Sequence, residues 1–314
     1  MSAPLLSLCI PTNGIIELIF PVLDSIYKDE TNASVDRNLY EVVIMDNGNN
    51  AKFHEMILDY SKDKNNLRYF HTDKTGFLSE AESYKVATGE FIKFINHRTK
   101  LLSGTIQYFL DFIEKYQHEK PFVYFLNGAK DDAPKFAEYK TFDQFVLNLS
   151  YWSSWSTGMG FWKSDFDMIP EDLEFNELFP HTTILFSQRH KDKYIIDNKV
   201  LLDEIPISHA NKGRYDLFYA FAVEYPGILL DLVRDGDVSH ESFLKLKDDI
   251  LNFVASLYFS FCIRKEPCSY DLSGLDSAIN VFYNKAALRN QTLKIIAKKA
   301  GNKIRHSSGQ NKSY

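Results

Sequence analysis

The sequence predicts an α/β protein, with a doubly wound, mostly parallel sheet followed by a smaller all-helical C-terminal domain. Short apolar runs alternate with amphipathic stretches as far as Leu126, and strands that alternate with helices indicate a parallel sheet. From about Lys212 the pattern becomes helical throughout. The length of 314 residues is sufficient for one large domain and a smaller one.

The alternation begins with an apolar run at residues 5–10, which predicts a buried strand ending at the turn Pro11-Thr12-Asn13-Gly14. Residues 15–27 carry apolar side chains at helical spacing, and a polar surface loop is expected at 28–38. The elements that follow are a strand at 40–45, a helix at 53–60, a strand at 67–71, a helix from Gly76 to a stop at Gly89, a strand at 91–95, a helix at 104–116 and a strand at 122–126.

Polar residues follow two of the predicted strands. Asp46 comes after the second strand, and Asn96-His97-Arg98 comes after the strand at 91–95. Ligands of open α/β sheets bind beyond the carboxyl ends of the strands, where a carboxylate can hold the base or ribose of a nucleotide. Asp46 is therefore a candidate nucleotide ligand; the alternative is a turn aspartate that hydrogen-bonds its own loop.

Composition excludes several classes of function. The net charge of −6 and the pI of about 5.9 argue against a nucleic-acid binder. The three cysteines Cys9, Cys262 and Cys268 form no paired framework, and we expect reduced thiols in a cytoplasmic protein without a signal peptide. The longest apolar run, residues 251–263, is too short to span a bilayer.

Three segments together resemble the N-terminal half of family 2 glycosyltransferases of the GT-A fold: PTNG, VVIMDNGNN and TGFLSEAESYKVATGEFIKFI. The resemblance implies a GT-A-type sheet, a nucleotide-diphosphate sugar as donor and inversion at the anomeric carbon. It assigns nucleotide binding to Pro11, Thr12, Asn13, Asp46, Gly76, Asn96 and His97. The matching residues are Pro11, Thr12, Asp46, Gly48, Gly76, Ala81, Ala87, Gly89, Ile92 and Phe94.

The resemblance continues more loosely to about residue 210. The segment at 142–166, FDQFVLNLSYWSSWSTGMGFWKSDF, is similar to the acceptor-side region of O-antigen and capsule sugar transferases. This implies a saccharide or lipid-linked saccharide acceptor in surface polysaccharide synthesis, such as lipopolysaccharide or capsule. Indole rings stack on sugar rings, and glycines admit close backbone approach. Trp155, Gly158 and Met159 are the candidate acceptor ligands, whereas core packing is at least as strong an expectation for Trp152 and Trp162.

One departure from the family pattern concerns the metal. The family's Asp-x-Asp, which holds a divalent cation on the donor diphosphate, aligns with Asn96-His97-Arg98. An amide and a guanidinium replace carboxylates poorly around a hard cation. Arg98, together with Lys100, can instead stabilise the leaving diphosphate directly. We therefore expect a metal-independent transferase without a cofactor; the alternative is a catalytically degenerate protein that binds a glycan or acts as a scaffold.

A second departure concerns the general base. In the family a Glu-Asp pair follows a Phe-Asp-Glu-like turn; here Phe175-Asn176-Glu177 matches the turn, and Pro180-His181 replaces the pair. His181 is the candidate base, because an imidazole titrates near neutral pH. The alternatives are that His181 only binds the acceptor hydroxyl, or that it is structural. Nearby carboxylates that can replace it are Glu171, Asp172, Glu174 and Glu177.

The pair Asp131-Asp132 is expected in an exposed loop rather than in a displaced metal site. A sugar nucleotidyltransferase, which has a related sheet, is disfavoured because PTNGIIELIF lacks the basic, glycine-rich phosphate loop that this class needs.

The change of pattern near Lys212 predicts three parts of the chain. These are a sugar-transfer domain at 1–211, a helical domain at 212–306 and a disordered tail at 307–314. Helices are expected at 215–224, 227–235, 242–263 and 275–300, separated in part by Pro226 and Gly274. The segment at 288–305 sets apolar residues among basic ones and contains no acidic residue. It predicts either an anchor at the inner face of the plasma membrane or a solvated helix end, and this domain is also where a homo-oligomer would form.

Overall fold

The computed structural model describes residues 3–131, 133–206 and 213–309. The chain divides into two units, Met1–Pro206 and Ile207–Tyr314. The predicted domain boundary at residues 211 and 212 lies outside the described residues, and so do residues 310–314 of the predicted tail.

The first unit is built on an eight-stranded sheet with the strand order β3-β2-β1-β4-β8-β6-β9-β7. The pairs β1/β2, β1/β4, β2/β3 and β6/β9 are parallel, while β8 runs antiparallel to both β4 and β6. Two further strands, β5 and β10, pair with each other outside this sheet. The strands are β1 (Leu6–Thr12), β2 (Tyr40–Asp46), β3 (Leu67–His71), β4 (Phe91–Phe94), β5 (Thr99–Leu101), β6 (Phe122–Phe125), β7 (Phe136–Tyr139), β8 (Met159–Trp162), β9 (Tyr194–Asp197) and β10 (Leu202–Glu204).

Helices cover both faces of this sheet, as a doubly wound fold requires. Leu8 and Ile10 of β1 belong to a buried cluster that includes residues of helices α1 and α5. Cys9 between them faces the opposite side, where its thiol donates to the carbonyl of Ser83 in α4 at 3.7 Å. The helices of this unit are α1 (Ile16–Tyr27), α2 (Glu30–Ala33), α3 (Ala51–Ser61), α4 (Ser79–Val86), α5 (Thr105–Tyr116), α6 (Phe142–Leu149), α7 (Lys163–Phe166) and α8 (Pro180–Phe186).

Helix α2 lies inside the segment that the sequence predicts as a surface loop. Asp29 caps it by accepting hydrogen bonds from the backbone N–H groups of Thr31 and Asn32, which is the usual role of an aspartate at this position. The buried Asn32 side chain donates to the carbonyls of Ser25 and Leu102. The loop prediction is wrong for these four residues because the capping signal is short and carries no apolar periodicity.

The second unit is helical, and the predicted fold class is thereby confirmed in both of its parts. A π-helical turn at Ala220–Glu224 leads directly into the helix that contains Pro226, so this proline does not separate two helices as expected. No described helix is long and apolar enough to cross a membrane. The helices are α9 (Leu217–Tyr219), α10 (Tyr225–Arg234), α11 (His240–Leu257), α12 (Leu275–Phe282) and α13 (Lys285–Gly309).

Candidate active site

The carboxyl ends of β1 and β2 lie side by side and bring the predicted nucleotide loops together. Thr12 pairs with Asp46 in the parallel register, and the backbone N–H of Asn47 donates to the carbonyl of Thr12 at 2.9 Å. The loops approach so closely that a Cβ on Gly48 would lie 2.2 Å from the carbonyl oxygen of Asn13. Gly48 is therefore required for this contact. Pro11, Thr12, Asn13 and Asp46 lie together at the carboxyl edge of the sheet, as predicted.

Asp46 is buried, and both oxygens of its carboxylate have partners. Oδ1 accepts from the backbone N–H of Gly48 at 2.8 Å, and Oδ2 accepts from the hydroxyl of Tyr69 at 2.9 Å. The first bond is the turn contact that the sequence left open as an alternative. A carboxylate oxygen has two lone-pair sites. Asp46 thus retains acceptor capacity for a ligand while it holds its own loop in place.

Asn47 connects this edge to the loop that carries Gly76. Its side-chain amide donates to the carbonyls of Lys74 at 3.2 Å and Gly76 at 3.4 Å. Gly76 has a φ of +59° and no neighbouring atom within 4 Å of the position of a Cβ, so it borders open space. Sequence reasoning did not select Asn47, although its place directly after Asp46 is a signal for it.

The segment Asn96-His97-Arg98 follows β4 at the same edge. Nδ1 of His97 lies 3.1 Å from the hydroxyl of Thr12, and the side chain of Asn96 accepts from the backbone N–H of Arg98 at 3.2 Å. Burial, with a smaller effect from the Arg98 charge, lowers the pKa of His97 to about 4, so the imidazole is neutral at pH 7. Asn96 and His97 are occupied by contacts within the protein.

The guanidinium of Arg98 makes no hydrogen bond or ion pair with the described residues. Lys100, two positions later, is instead paired with Asp203 at 3.3 Å. A cation beside Asn96 and His97 does not fit a site for a divalent metal, which takes oxygen ligands from carboxylates and carbonyls. The residues at this position fit an anion instead.

Lys93 in β4 is a buried cation that sequence reasoning missed. Its ammonium group donates to three carbonyls, those of Phe94 at 2.8 Å, Thr157 at 2.7 Å and Met159 at 3.0 Å. Burial lowers its pKa to about 7, but three acceptors engage all three N–H bonds of the charged form and favour it. Lys93 thereby ties the predicted acceptor segment to the strand that leads to Arg98.

The acceptor segment itself is packed closely on β6. A Cβ on Gly158 would lie 2.1 Å from the ring of Tyr124, and Met159 is buried as the first residue of β8. Trp155 is half-buried, with its ring centroid 5.5 Å from that of Trp152. Trp162 is fully buried, and its indole N–H donates to the carbonyl of Pro121 at 3.0 Å, as the core interpretation expects. Binding of the acceptor by Trp155, Gly158 and Met159 stays a prediction.

His181 lies in the first turn of α8. Asn176 shapes the preceding turn by accepting from the backbone N–H groups of Leu178 at 3.0 Å and Phe179 at 2.8 Å. The imidazole is only 6% exposed, and burial lowers its pKa to about 4 against an opposing contribution from the Ser154 backbone. Neither ring nitrogen has a well-formed hydrogen bond within the part of the chain that the structure describes.

Glu80 of α4 faces His181 and was also missed by sequence reasoning. Its Oε1 lies 3.8 Å from Nδ1 of His181 and makes no hydrogen bond with any described residue. Burial raises the pKa of Glu80 to about 8, so its carboxyl group is protonated at neutral pH. The two side chains form a neutral buried pair. The four alternative carboxylates Glu171, Asp172, Glu174 and Glu177 are exposed.

Replacing Glu80 by glutamine is expected to stabilise the protein at alkaline pH. The folded-state pKa of about 8 exceeds the usual 4.5, so the carboxyl ionises more readily in the unfolded chain. The free energy of unfolding therefore falls as the pH rises from about 4.5 to about 8. Glutamine resembles the protonated form at every pH. In urea denaturation, Glu80→Gln should be close to the wild type near pH 5 and exceed its free energy of unfolding by on the order of 4 kcal/mol at pH 8.

The matched control is Glu82→Gln on the same helix, where the carboxylate is paired with Lys85 at 2.7 Å at the surface. This variant should differ from the wild type by a small amount that is similar at both pH values, since surface pairs contribute at most about 1 kcal/mol. An equal effect of Glu80→Gln at pH 5 and pH 8 would contradict burial of an ionisable carboxyl at this position.

The fold is shared with solved structures of TarS from S. aureus, which are GT-A-like, and the GT-A-type prediction is confirmed at the level of the fold. TarS 1-349 in complex with UDP-GlcNAc matches with a TM-score of 0.58 and 16% identity, covering 88% of this chain and 80% of that one. The complex of TarS 1-349 with UDP matches with a TM-score of 0.56 and 16% identity, covering 88% of this chain and 78% of that one. A longer TarS structure matches with a TM-score of 0.51 and 18% identity, covering 82% of this chain and 44% of that one. No protein-family profile and no curated protein matches the sequence.

Proposed function

We propose that this protein is an inverting glycosyltransferase that moves a sugar, of the hexosyl type, from a nucleotide-diphosphate donor to a saccharide acceptor without a metal ion. The observation that carries the proposal is the Arg98 guanidinium, which has no partner among the described residues and belongs to the loop after β4 whose His97 contacts Thr12. Structures of the same fold contain UDP-GlcNAc and UDP, which supports a nucleotide sugar as the donor. A lipid-linked acceptor in surface polysaccharide synthesis is part of the proposal.

In the reaction, an acceptor hydroxyl oxygen forms a bond to the anomeric carbon as the bond from that carbon to the diphosphate breaks. The diphosphate leaves with the bonding electrons, and Arg98 stabilises the developing charge through charge-assisted hydrogen bonds. His181 is neutral at pH 7 and has a free lone pair, so it is the proposed acceptor of the hydroxyl proton. Its low pKa makes it a weak base, and the neighbouring Glu80 carboxyl, 3.8 Å from Nδ1, is protonated at this pH and adds no charge to offset the imidazolium.

Nucleotide binding tests the proposal. UDP, dTDP, GDP and CMP are titrated into the protein by calorimetry, and one diphosphate is expected to bind. Asp46→Asn should weaken that binding by about tenfold, since a charge-assisted hydrogen bond contributes about 1.5–3 kcal/mol. The control is Tyr69→Phe, which removes the hydroxyl that donates to Asp46 but keeps the carboxylate. Absence of binding by every nucleotide would refute the proposed donor site.

The degenerate, non-catalytic alternative has one observation in its favour, which is the deep burial of both His181 and Glu80. A base must reach the acceptor hydroxyl. This alternative is distinguished by product formation: it expects nucleotide or glycan binding without release of the nucleotide diphosphate in the presence of acceptor.

A peripheral contact with the inner membrane surface is also proposed, through helix α13. Leu288 and Thr292 of this helix are buried, but Leu293 and Ile296 are 54% and 36% exposed, beside Lys294, Lys298 and Lys299. Exposed apolar residues among lysines are typical of binding to anionic lipids. The predicted contribution of Ile304 lies outside the side chains that the structure describes.

Replacing Leu293 and Ile296 together by serine should abolish flotation with liposomes that contain phosphatidylserine. Both side chains are exposed, so the fold should be retained, while most of the apolar area available for insertion is lost. The control is Leu244→Ser, which removes a similarly exposed leucine of α11. Flotation that is unchanged in the double variant would exclude this surface as the anchor.

A further inference from the structure

A cavity of the first unit lies at the far end of helix α8 from His181. Its volume is about 400 Å³. Ser187 and Gln188 follow the last residue of the helix, and His181 lies in its first turn, so the cavity and the candidate base are separated by about 10 Å along the axis at about 1.5 Å per residue. The lining residues are Asp165, Met168, Ile169, Pro170, Leu173, Ser187, Gln188, Arg189, His190 and Lys191.

The polar wall of this cavity contains buried groups whose hydrogen-bonding capacity is unused. Gln188 is 5% exposed, and neither Oε1 nor Nε2 of its amide has a partner among residues 3–131, 133–206 and 213–309. Asp165 is 7% exposed; its Oδ1 accepts from the ammonium of Lys191 at 2.7 Å, but Oδ2 has no partner in the same ranges. Buried polar groups of this kind cost free energy unless a ligand or water satisfies them.

A second part of the lining, here called the apolar wall, consists of apolar side chains that include two exposed ones. Met168 is 73% exposed and Leu173 is 38% exposed, with Ile169 and Pro170 beside them. An amide and a carboxylate can each bind two neighbouring hydroxyl groups, and an apolar surface packs against the C–H face of a sugar ring. Because Lys191 neutralises Asp165 and the Arg189 guanidinium already donates to the carbonyl of Phe186, the wall favours a neutral ligand over a phosphate.

We propose that this cavity binds a saccharide unit of the acceptor, at a subsite remote from the reacting hydroxyl. Gln188 and Asp165 bind the hydroxyl groups of the sugar, and Met168 and Leu173 contact its C–H face. The inference rests on the proposed transfer to a saccharide and adds a site that selects longer acceptor chains.

The test uses the full chain with UDP present, and the probes are N-acetylglucosamine, galactose, cellobiose, lactose and chitobiose. Binding is measured by saturation-transfer NMR and calorimetry, with glycerol as a non-specific polyol. At least one sugar is expected to bind, and Gln188→Leu should weaken it by about tenfold or more, because the variant loses two hydrogen bonds to the ligand. The matched control is Gln107→Leu, an exposed glutamine outside the cavity, which should leave sugar binding unchanged.

A second variant covers the case in which Gln188→Leu does not fold. Met168 is largely exposed, so Met168→Glu should preserve the fold while it places a charge on the apolar wall, and sugar binding should again be lost. Failure of every sugar to bind while UDP binds normally would overturn the subsite and leave the proposed transfer intact. Sugar binding that neither variant weakens would overturn it as well. Sugar binding that depends on Gln188 in a protein that binds no nucleotide would support the subsite and refute the donor site.

Discussion

Replacing Arg98 by alanine is expected to lower kcat by about 100- to 1,000-fold, as removal of one preorganised donor to a developing anion does elsewhere. Arg98 lies in the loop between β4 and β5, and its guanidinium has no partner in the described part of the chain, so its hydrogen bonds are available to a donor diphosphate. Binding of the nucleotide diphosphate should weaken in parallel. Turnover is measured as release of the nucleotide diphosphate from the nucleotide sugar that binds in calorimetry.

Two further variants distinguish a specific role from a loss of positive charge. Arg98→Lys retains the charge but not the planar fork, so its activity should fall between that of the wild type and that of Arg98→Ala. Lys100→Ala removes a cation that is already paired with Asp203, and it should change kcat by less than about threefold. Equal losses in Arg98→Ala and Lys100→Ala would contradict a specific contact between Arg98 and the diphosphate.

Gly158→Ala is expected to give the largest loss of stability among conservative substitutions in the acceptor segment. The added Cβ would lie 2.1 Å from a ring carbon of Tyr124. The ring cannot easily withdraw, because its hydroxyl oxygen lies 2.5 Å from the carbonyl oxygens of both Trp152 and Trp155, and its single proton is donated between them. Overpacking of this kind costs about 1–3 kcal/mol or more, and the free energy of unfolding in urea should fall by that amount.

The same substitution at Gly227 is the matched control. Gly227 lies in helix α10, and no atom stands within 4 Å of the position of its Cβ. Alanine should therefore stabilise this helix by up to about 1 kcal/mol. If Gly158→Ala raised the free energy of unfolding, as Gly227→Ala is expected to do, the Tyr124 ring would not restrict the acceptor segment. The Gly158→Ala variant should also raise the KM for the acceptor, since Trp155 lies on the displaced segment.

Much of the first half of the fold could be predicted because its signals are local. The strands β1 and β2 are buried along nearly their whole length and appear in the sequence as continuous apolar runs. Parallel strands place their carboxyl ends at one edge, so the proximity of Thr12 to Asp46 follows from the order of the elements. The same reasoning located Asn96-His97-Arg98 at that edge.

Contacts between distant segments were not predictable in this way. Strand β8 enters the sheet between β4 and β6 in the opposite direction, which no local pattern indicates. Two of the three carbonyls that bind Lys93 belong to residues 64 and 66 positions away along the chain. The pairing of Glu80 with His181 likewise depends on the packing of α4 against α8. In the sequence, Lys93 is only a polar residue in an apolar strand, and Glu80 is an ordinary helical glutamate.

The most direct test of a metal-free donor site is calorimetric titration of the wild-type protein with UDP, first in EDTA and then in manganese. Arg98 as the diphosphate ligand predicts the same affinity in both conditions, and a loss of about tenfold or more in Arg98→Ala even with manganese present. Binding that requires manganese and survives in Arg98→Ala would contradict the account and would place a metal, rather than this arginine, on the diphosphate.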